Sequence, residues 1–303
     1  MRVFVTGATG FIGSAIAREL QAAGHQVLGL ARNDAAVAAL KATGVEAHRG
    51  ELADIDSLVA GVSACDGVIH MAFIHDFSAY GASVEADLRA VDAMTRALEG
   101  TGKPFIGTCG TALLAGGRIG TEADAPTPGT AGHMRAASEA KVLAAAARGV
   151  RASEVRLPPT VHGTGDHGFV PMLIDIARRT GFAAYIGDGA NRWPAVHRSD
   201  AARLYRLALE SAAPGSRLHA VAEQGVPMRE IAGQIGQGLG VPVRSLTPDE
   251  ARAHFGWMAG FVAIDNPCSS EITRAALGWQ PSGPGLLADL RDGGYFPGRS
   301  GSA

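Results

Sequence analysis

The chain opens on RVFV (2–5), an apolar strand that passes directly into GATGFIG and then into a helical pattern. A strand, a turn with glycine at every third position and a helix admit few folds. Gly7 permits the tight turn, Gly10 lets backbone approach a ligand, and Gly13 lets the helix pack close to the sheet. The free N–H groups at the start of such a helix suit a pyrophosphate. Gly7, Thr9, Gly10, Phe11, Ile12 and Gly13 are therefore expected to cradle a dinucleotide.

The rest of the first half repeats the theme. Short apolar runs at 2–5, 26–31, 45–50, 67–73, 103–108 and 152–157 alternate with helical stretches at 11–23, 34–42, 54–63, 83–99 and 136–147. In the first helix Ile12, Ile16 and Leu20 make one stripe, and Gly24 supplies a stop. Alternating strands and helices predict an α/β Rossmann fold: a doubly wound parallel sheet with helices on both faces. The beat fails after residue 158, where Pro and Gly accumulate. A strand–helix unit at 196–211 and a strand at 218–222 are expected to return to the main sheet, and a helix follows near 227–239. The expected division is a nucleotide-binding domain at 1–158 plus 196–222, a small C-terminal substrate-binding portion at 159–195 plus 223–297, and a flexible tail at 298–303.

The second strand ends in GLARND, with Ala31 and Arg32 where an NAD-selective chain places an acid. Arg32 can pair with a 2′-phosphate, so NADP(H) is the expected cofactor; a solvated surface arginine is the alternative. The formal charge of −2 gives no electrostatic case for nucleic acid or an anionic membrane. Three widely spaced cysteines argue against a disulfide framework or a zinc site, and no metal is expected. No apolar run approaches the ~18 residues that span a bilayer. The amino terminus lacks the pattern of a signal peptide, which points to the cytoplasm.

Further segments resemble the extended and atypical branches of the short-chain dehydrogenase/reductase superfamily, which include NAD(P)-dependent epimerases and dehydratases. TGATGFIGS resembles the opening turn, GELAD (50–54) the segment that meets adenine, and DGVIHMAF (66–73) the fourth strand beside the cofactor. RLPPTVHGTGD (156–166), GDGANRWPAVHRSDAARLYRLAL (187–209) and TRAALGWQPS (273–282) resemble later motifs, in the same order. The resemblance implies cofactor contacts at Glu51, Leu52, Met71, Ala72 and Pro158, a small-molecule substrate and a homodimer.

It also implies hydride transfer assisted by Asn, a hydroxyl residue, Tyr and Lys. Here the pattern departs. The serine position falls on Gly110, which leaves Thr111 as the substrate-orienting hydroxyl, or as a threonine that satisfies local backbone. Asp87 aligns with the Asn, with a solvated carboxylate as the alternative. Counting on from Gly110 places Arg135 at the Tyr position and Glu139 at the Lys position. Sliding the frame by four places Ala131 and Arg135 there instead, and neither frame yields a tyrosine. Arg135 and Glu139 sit four apart, so on a helix they share one face; near the nicotinamide they would bind or polarise the substrate, and an ordinary surface ion pair is the alternative.

Other groups are then needed to exchange a proton. The loop IHDFSAYG (74–81) offers His75, Asp76 and Tyr80. His133 and His162 are secondary candidates, Tyr185 and Trp193 are candidate substrate contacts, Tyr205 reads as core and Cys109 as a buried small residue. The expected activity is an NADPH-dependent oxidoreductase that reduces a small carbonyl or imine by hydride transfer. A nucleotide-sugar epimerase or dehydratase and a non-catalytic NADP(H) sensor stand as alternatives.

Overall fold

The structure, a computed structural model, describes residues 1–75 and 79–296. Asp76 and the 298–303 tail lie outside the described residues. In chain order the first half runs β1 (Arg2–Thr6), α1 (Phe11–Ala22), β2 (Gln26–Ala31), α2 (Asp34–Ala42), β3 (Glu46–Arg49), α3 (Ile55–Ser63), β4 (Gly67–His70), α4 (Tyr80–Ala97), β5 (Pro104–Gly110), α5 (Ala136–Ala145) and β6 (Arg151–Leu157). There follow β7 (Thr160–His162), α6 (Phe169–Thr180), β8 (Ala183–Ile186), β9 (Arg192–His197), α7 (Arg198–Ser211), β10 (Ser216–His219), β11 (Glu223–Pro227), α8 (Met228–Leu239) and β12 (Val243–Leu246). Short helices at Pro248–Phe255, Ala259–Val262, Glu271–Leu277 and Leu286–Asp292 complete the described chain.

Seven strands form one parallel sheet in the order β10-β6-β5-β4-β1-β2-β3. The order reverses at β1, so the carboxyl ends of β1 and β4 form the switch point, where such sheets hold ligands. Side chains alternate across the sheet. Val3, Val5, Ile69, Ile106 and Val155 face α1 and α7 in one core, while Phe4, Val68, Phe105 and Ala152 face α3, α4 and α5 in another. Burial on both faces is why these strands read as continuous apolar runs. Ile16 and Leu20 are fully buried in the first core, and Ile12 packs against it.

The return of the chain to the main sheet is narrower than the sequence suggests. Helix α7 packs on α1, and β10 pairs with β6. Strand β9, however, pairs with β7 and β11 in a separate three-stranded sheet. The Pro- and Gly-rich region also forms β8, which pairs with β12. A third core built from α6, α8, β9 and the last helices includes Trp193, Ile231 and Leu286. Among the described residues no helix is long and apolar enough to cross a membrane.

Candidate active site

The turn after β1 fits a dinucleotide. Gly7 has φ of 72°, and a Cβ there would lie 3.0 Å from the Ala72 nitrogen, so the turn abuts the exit of β4. A Cβ on Gly13 would lie 2.0 Å from the Gly7 carbonyl oxygen, which only glycine avoids. Gly10 caps α1 without a side-chain hydrogen bond, and no acid lies in the first turn. The N–H groups around Phe11 and Ile12 are thus left to an anion. Thr9 and Gly10 are exposed, and the Phe11 ring packs under the Arg198 guanidinium, 5.0 Å from its centroid. Arg32 follows β2, is exposed and makes no ion pair among the described residues; Glu51 is exposed too, whereas Leu52 and Pro158 are buried.

Beside this turn a buried polar chain runs through the strand ends. The Thr6 hydroxyl oxygen accepts the N–H groups of Met71 and Ala72, each at 3.1 Å, and lies 2.8 Å from His70 Nδ1. Its two lone pairs are then occupied, so its own proton goes to Nδ1. That leaves the His70 Nε2–H to donate to Asp87 Oδ1 at 3.2 Å. Asp87 is 1% exposed. Burial pushes its carboxyl up, but the hydrogen bond from His70 and the charge of Arg135 outweigh that and hold it below the usual range.

Arg135 completes the chain. Its Nη2 donates to the Thr108 carbonyl at 2.8 Å and lies 3.3 Å from Asp87 Oδ2. Its guanidinium sits 4.1 Å above the Phe73 ring centroid. Phe73 in turn meets His75 and Tyr80 edge-on, at 5.3 and 5.8 Å between ring centroids. The cleft therefore gathers a cation, a phenol and an imidazole at the carboxyl ends of β4 and β5. Burial raises the Tyr80 phenol, with Arg135 opposing. Desolvation lowers the His75 imidazole although it sits at the exposed rim, and Arg135 lowers it further. Both groups are neutral at pH 7, and Tyr80 retains a proton to give.

Two expectations and one alternative are corrected here. Arg135 and Glu139 do not pair. Arg135 ends a turn of 3-10 helix, His133–Arg135, and only caps α5, so its side chain leaves toward Asp87. Glu139, 1% exposed, faces the sheet and takes Arg156 at 2.6 and 2.8 Å and Arg217 at 2.8 Å. Asp87 is no solvated carboxylate. Thr111 is fully buried and donates to Asn266 Oδ1 at 2.6 Å, which commits its hydroxyl to holding the C-terminal segment.

The remaining candidates scatter. His133 is half-buried beside Arg135, with a buried Nδ1 that has no hydrogen-bond partner among the described residues. His162 is fully buried and bonded to Asp289 at 2.8 Å, and Trp193 is 1% exposed in the third core. Neither has surface for a substrate. Tyr185 packs against that core near Gly189. Tyr205 is core, its hydroxyl 2.8 Å from Thr108 Oγ1, and Cys109 is buried. His70, Thr6 and Phe73 are the residues that reading the sequence passed over. A lone histidine ending the buried strand GVIH was the available signal.

A parallel sheet with this turn, and a polar cluster at its carboxyl edge, define a nucleotide-dependent α/β oxidoreductase class. The model of the NAD dependent epimerase/dehydratase family matches residues 3–221, and the chain belongs to that family. It is 51% identical over 298 residues to Uncharacterized protein C2A9.02 of Schizosaccharomyces pombe, covering 98% of this chain and 100% of that protein. It is also 30% identical over 261 residues to a 2-alkyl-3-oxoalkanoate reductase of Stenotrophomonas maltophilia, covering 80% and 77% of the two chains. A solved dTDP-glucose 4,6-dehydratase (DesIV) from Streptomyces venezuelae, with NAD bound, shares the fold at a TM-score of 0.80 and 20% identity, over 99% and 98% of the chains.

Proposed function

We propose that the chain is an NADPH-dependent reductase of a small carbonyl compound in which Arg135 takes over the oxygen-polarising part of the missing tyrosine and Tyr80 supplies the proton. The observation that carries this is the Arg135 guanidinium, clamped by Phe73, Thr108 and Asp87, with the Tyr80 phenol against the same Phe73 ring. A bound dihydronicotinamide supplies hydride. Arg135 holds the substrate oxygen and stabilises the negative charge that grows on it. Tyr80 gives that oxygen its phenolic proton, and His75 at the rim returns a proton from solvent.

The cation favours a carbonyl over an imine. A protonated imine already carries positive charge and is repelled by the guanidinium that serves an alkoxide. The reductase among the relatives, named for a 3-oxoalkanoate, supports reduction of a ketone. NADPH is preferred because Arg32, at the end of β2 with no acid in its place, makes no ion pair among the described residues. The same reading carries a homodimer, tested by sedimentation, and a cytoplasmic enzyme, consistent with three free, buried cysteines.

The test is NADPH oxidation across ketones, aldehydes, cyclic imines and enones, with NADH and UDP-sugars in parallel. Turnover of a ketone that falls about 10²–10³-fold in Arg135→Met supports the proposal. Nucleotide-sugar turnover places the chain with the epimerases, tight NADPH binding with no turnover makes it a sensor, and tighter NADH binding overturns the role of Arg32.

A further inference from the structure

The proposed chemistry uses Arg135 but does not require a carboxylate buried behind it. Asp87 lies mid-helix in α4, out of water, and binding it there costs its solvation. We infer that Asp87 is a positioning residue: held by Thr6 and His70, it fixes the orientation of the Arg135 guanidinium and ties that group to the strand ends bordering the dinucleotide. This rests on the proposed role of Arg135.

The geometry shows why a second anchor is needed. Arg135 belongs to a 3-10 turn between a loop and α5, ahead of the regular helix. The short bond from Nη2 to the Thr108 carbonyl, at 2.8 Å, fixes one point of the fork and leaves rotation about it. Stacking on Phe73 fixes the plane but not the direction within it. The Asp87 carboxylate, with Oδ1 accepting from the same Nη2 at 3.5 Å and Oδ2 lying 3.3 Å away as an ion pair, restricts that rotation. Asp87 is itself held at Oδ1 by His70 Nε2, and His70 by Thr6.

Each link stands on a rigid element. Thr6 ends β1, His70 ends β4, and Asp87 sits well inside an 18-residue helix. Thr6 also receives Met71 and Ala72 N–H, the backbone pressed against the Gly7 turn. The guanidinium is thereby registered against the dinucleotide turn through three side chains. Misplacement of a reacting group by about 1 Å can cost 10²-fold in rate.

The experiment is a double-mutant cycle on the full chain with NADPH and the best ketone. Asp87→Asn keeps the volume and removes the charge. It is expected to lower kcat about 10–100-fold while leaving the NADPH Kd within about threefold. In an Arg135→Met background the same change is expected to leave kcat within about twofold, because a residue that acts through another loses its effect when that other is gone. In the cofactor-free protein, the Arg135 Nε–H signal by nitrogen-edited NMR is expected to exchange faster in Asp87→Asn than in wild type. If Asp87→Asn fails to fold, His70→Gln, which removes the middle link and keeps the ion pair, carries the same cycle, with an expected fall of about 3–10-fold. Unchanged kcat in Asp87→Asn, or the same loss in both backgrounds, overturns the inference alone. Unchanged kcat in Arg135→Met overturns the proposed role of Arg135 beneath it.

Discussion

Glu139 stands where the family's lysine is expected, and the structure makes it a structural anion. Its carboxylate takes two bonds from Arg156, at 2.6 and 2.8 Å, and one from Arg217 at 2.8 Å. Arg156 is fully buried between β5 and β10, so no water replaces a lost partner. Glu139→Gln keeps the shape but removes the charge, and turns one oxygen into an amide that opposes guanidinium donors. Breaking one side of a buried ion pair costs about 3–5 kcal/mol. At about 2–4 °C per kcal/mol for a chain of this order, the melting midpoint falls by roughly 6–20 °C. At 25 °C the fold survives, and kcat for ketone reduction stays within about threefold, because Glu139 does not reach Arg135, Phe73 or Tyr80. Differential scanning fluorimetry and steady-state NADPH oxidation on one preparation measure both. An unshifted midpoint with a large loss of kcat refutes the reasoning and returns Glu139 to the cleft.

Gly13→Ala places a methyl 2.0 Å from the Gly7 oxygen, so the turn must move by over 1 Å; NADPH affinity, read by fluorescence titration, is expected to drop at least about 100-fold, and wild-type affinity would remove the turn from the cofactor site. The pH profile separates the two proton donors. The Tyr80 phenol is raised above 10 and stays protonated, so kcat/KM for reduction is flat from pH 7 to 9, and Tyr80→Phe lowers it about 10²-fold. A rate already declining through pH 6 and 7 would assign the proton to His75, whose value is lowered from 6.5. Glu154 is wholly buried, and burial, then the charge of Glu139, push its carboxyl well above 4.5. A raised carboxyl contributes stability in full below 4.5 and loses it as pH rises through the folded value. The midpoint of Glu154→Gln minus that of wild type is therefore expected to grow from pH 5 to 9, and a constant difference would show that Glu154 does not titrate.

The sheet was legible because its strands are buried on both faces. QVLGLA at 26–31 is β2 to the residue, and α2 matches 34–42, since apolar runs and capped helices write their own boundaries locally. Strand β9 was misplaced for a nonlocal reason. Its WPAV core suits either sheet, and what decides is pairing with β7 and β11, some thirty residues away on each side in sequence.

The site failed at a smaller scale. A spacing of four predicts a shared face only where a regular helix runs through both positions. The 3-10 turn ends at residue 135 and α5 begins at 136, so the Arg135 side chain departs the helix axis before the periodicity starts. From there one member of the apparent pair goes forward to the cleft and the other back to the sheet. Asp87 and His70 were hidden by the same physics that makes them useful. A charge on a helix reads as solvated, and a histidine in a strand as core, until the fold brings two such groups 3.2 Å apart with no water to separate them. Each is costly alone and satisfied together, and such a pair is written into no local window of the chain.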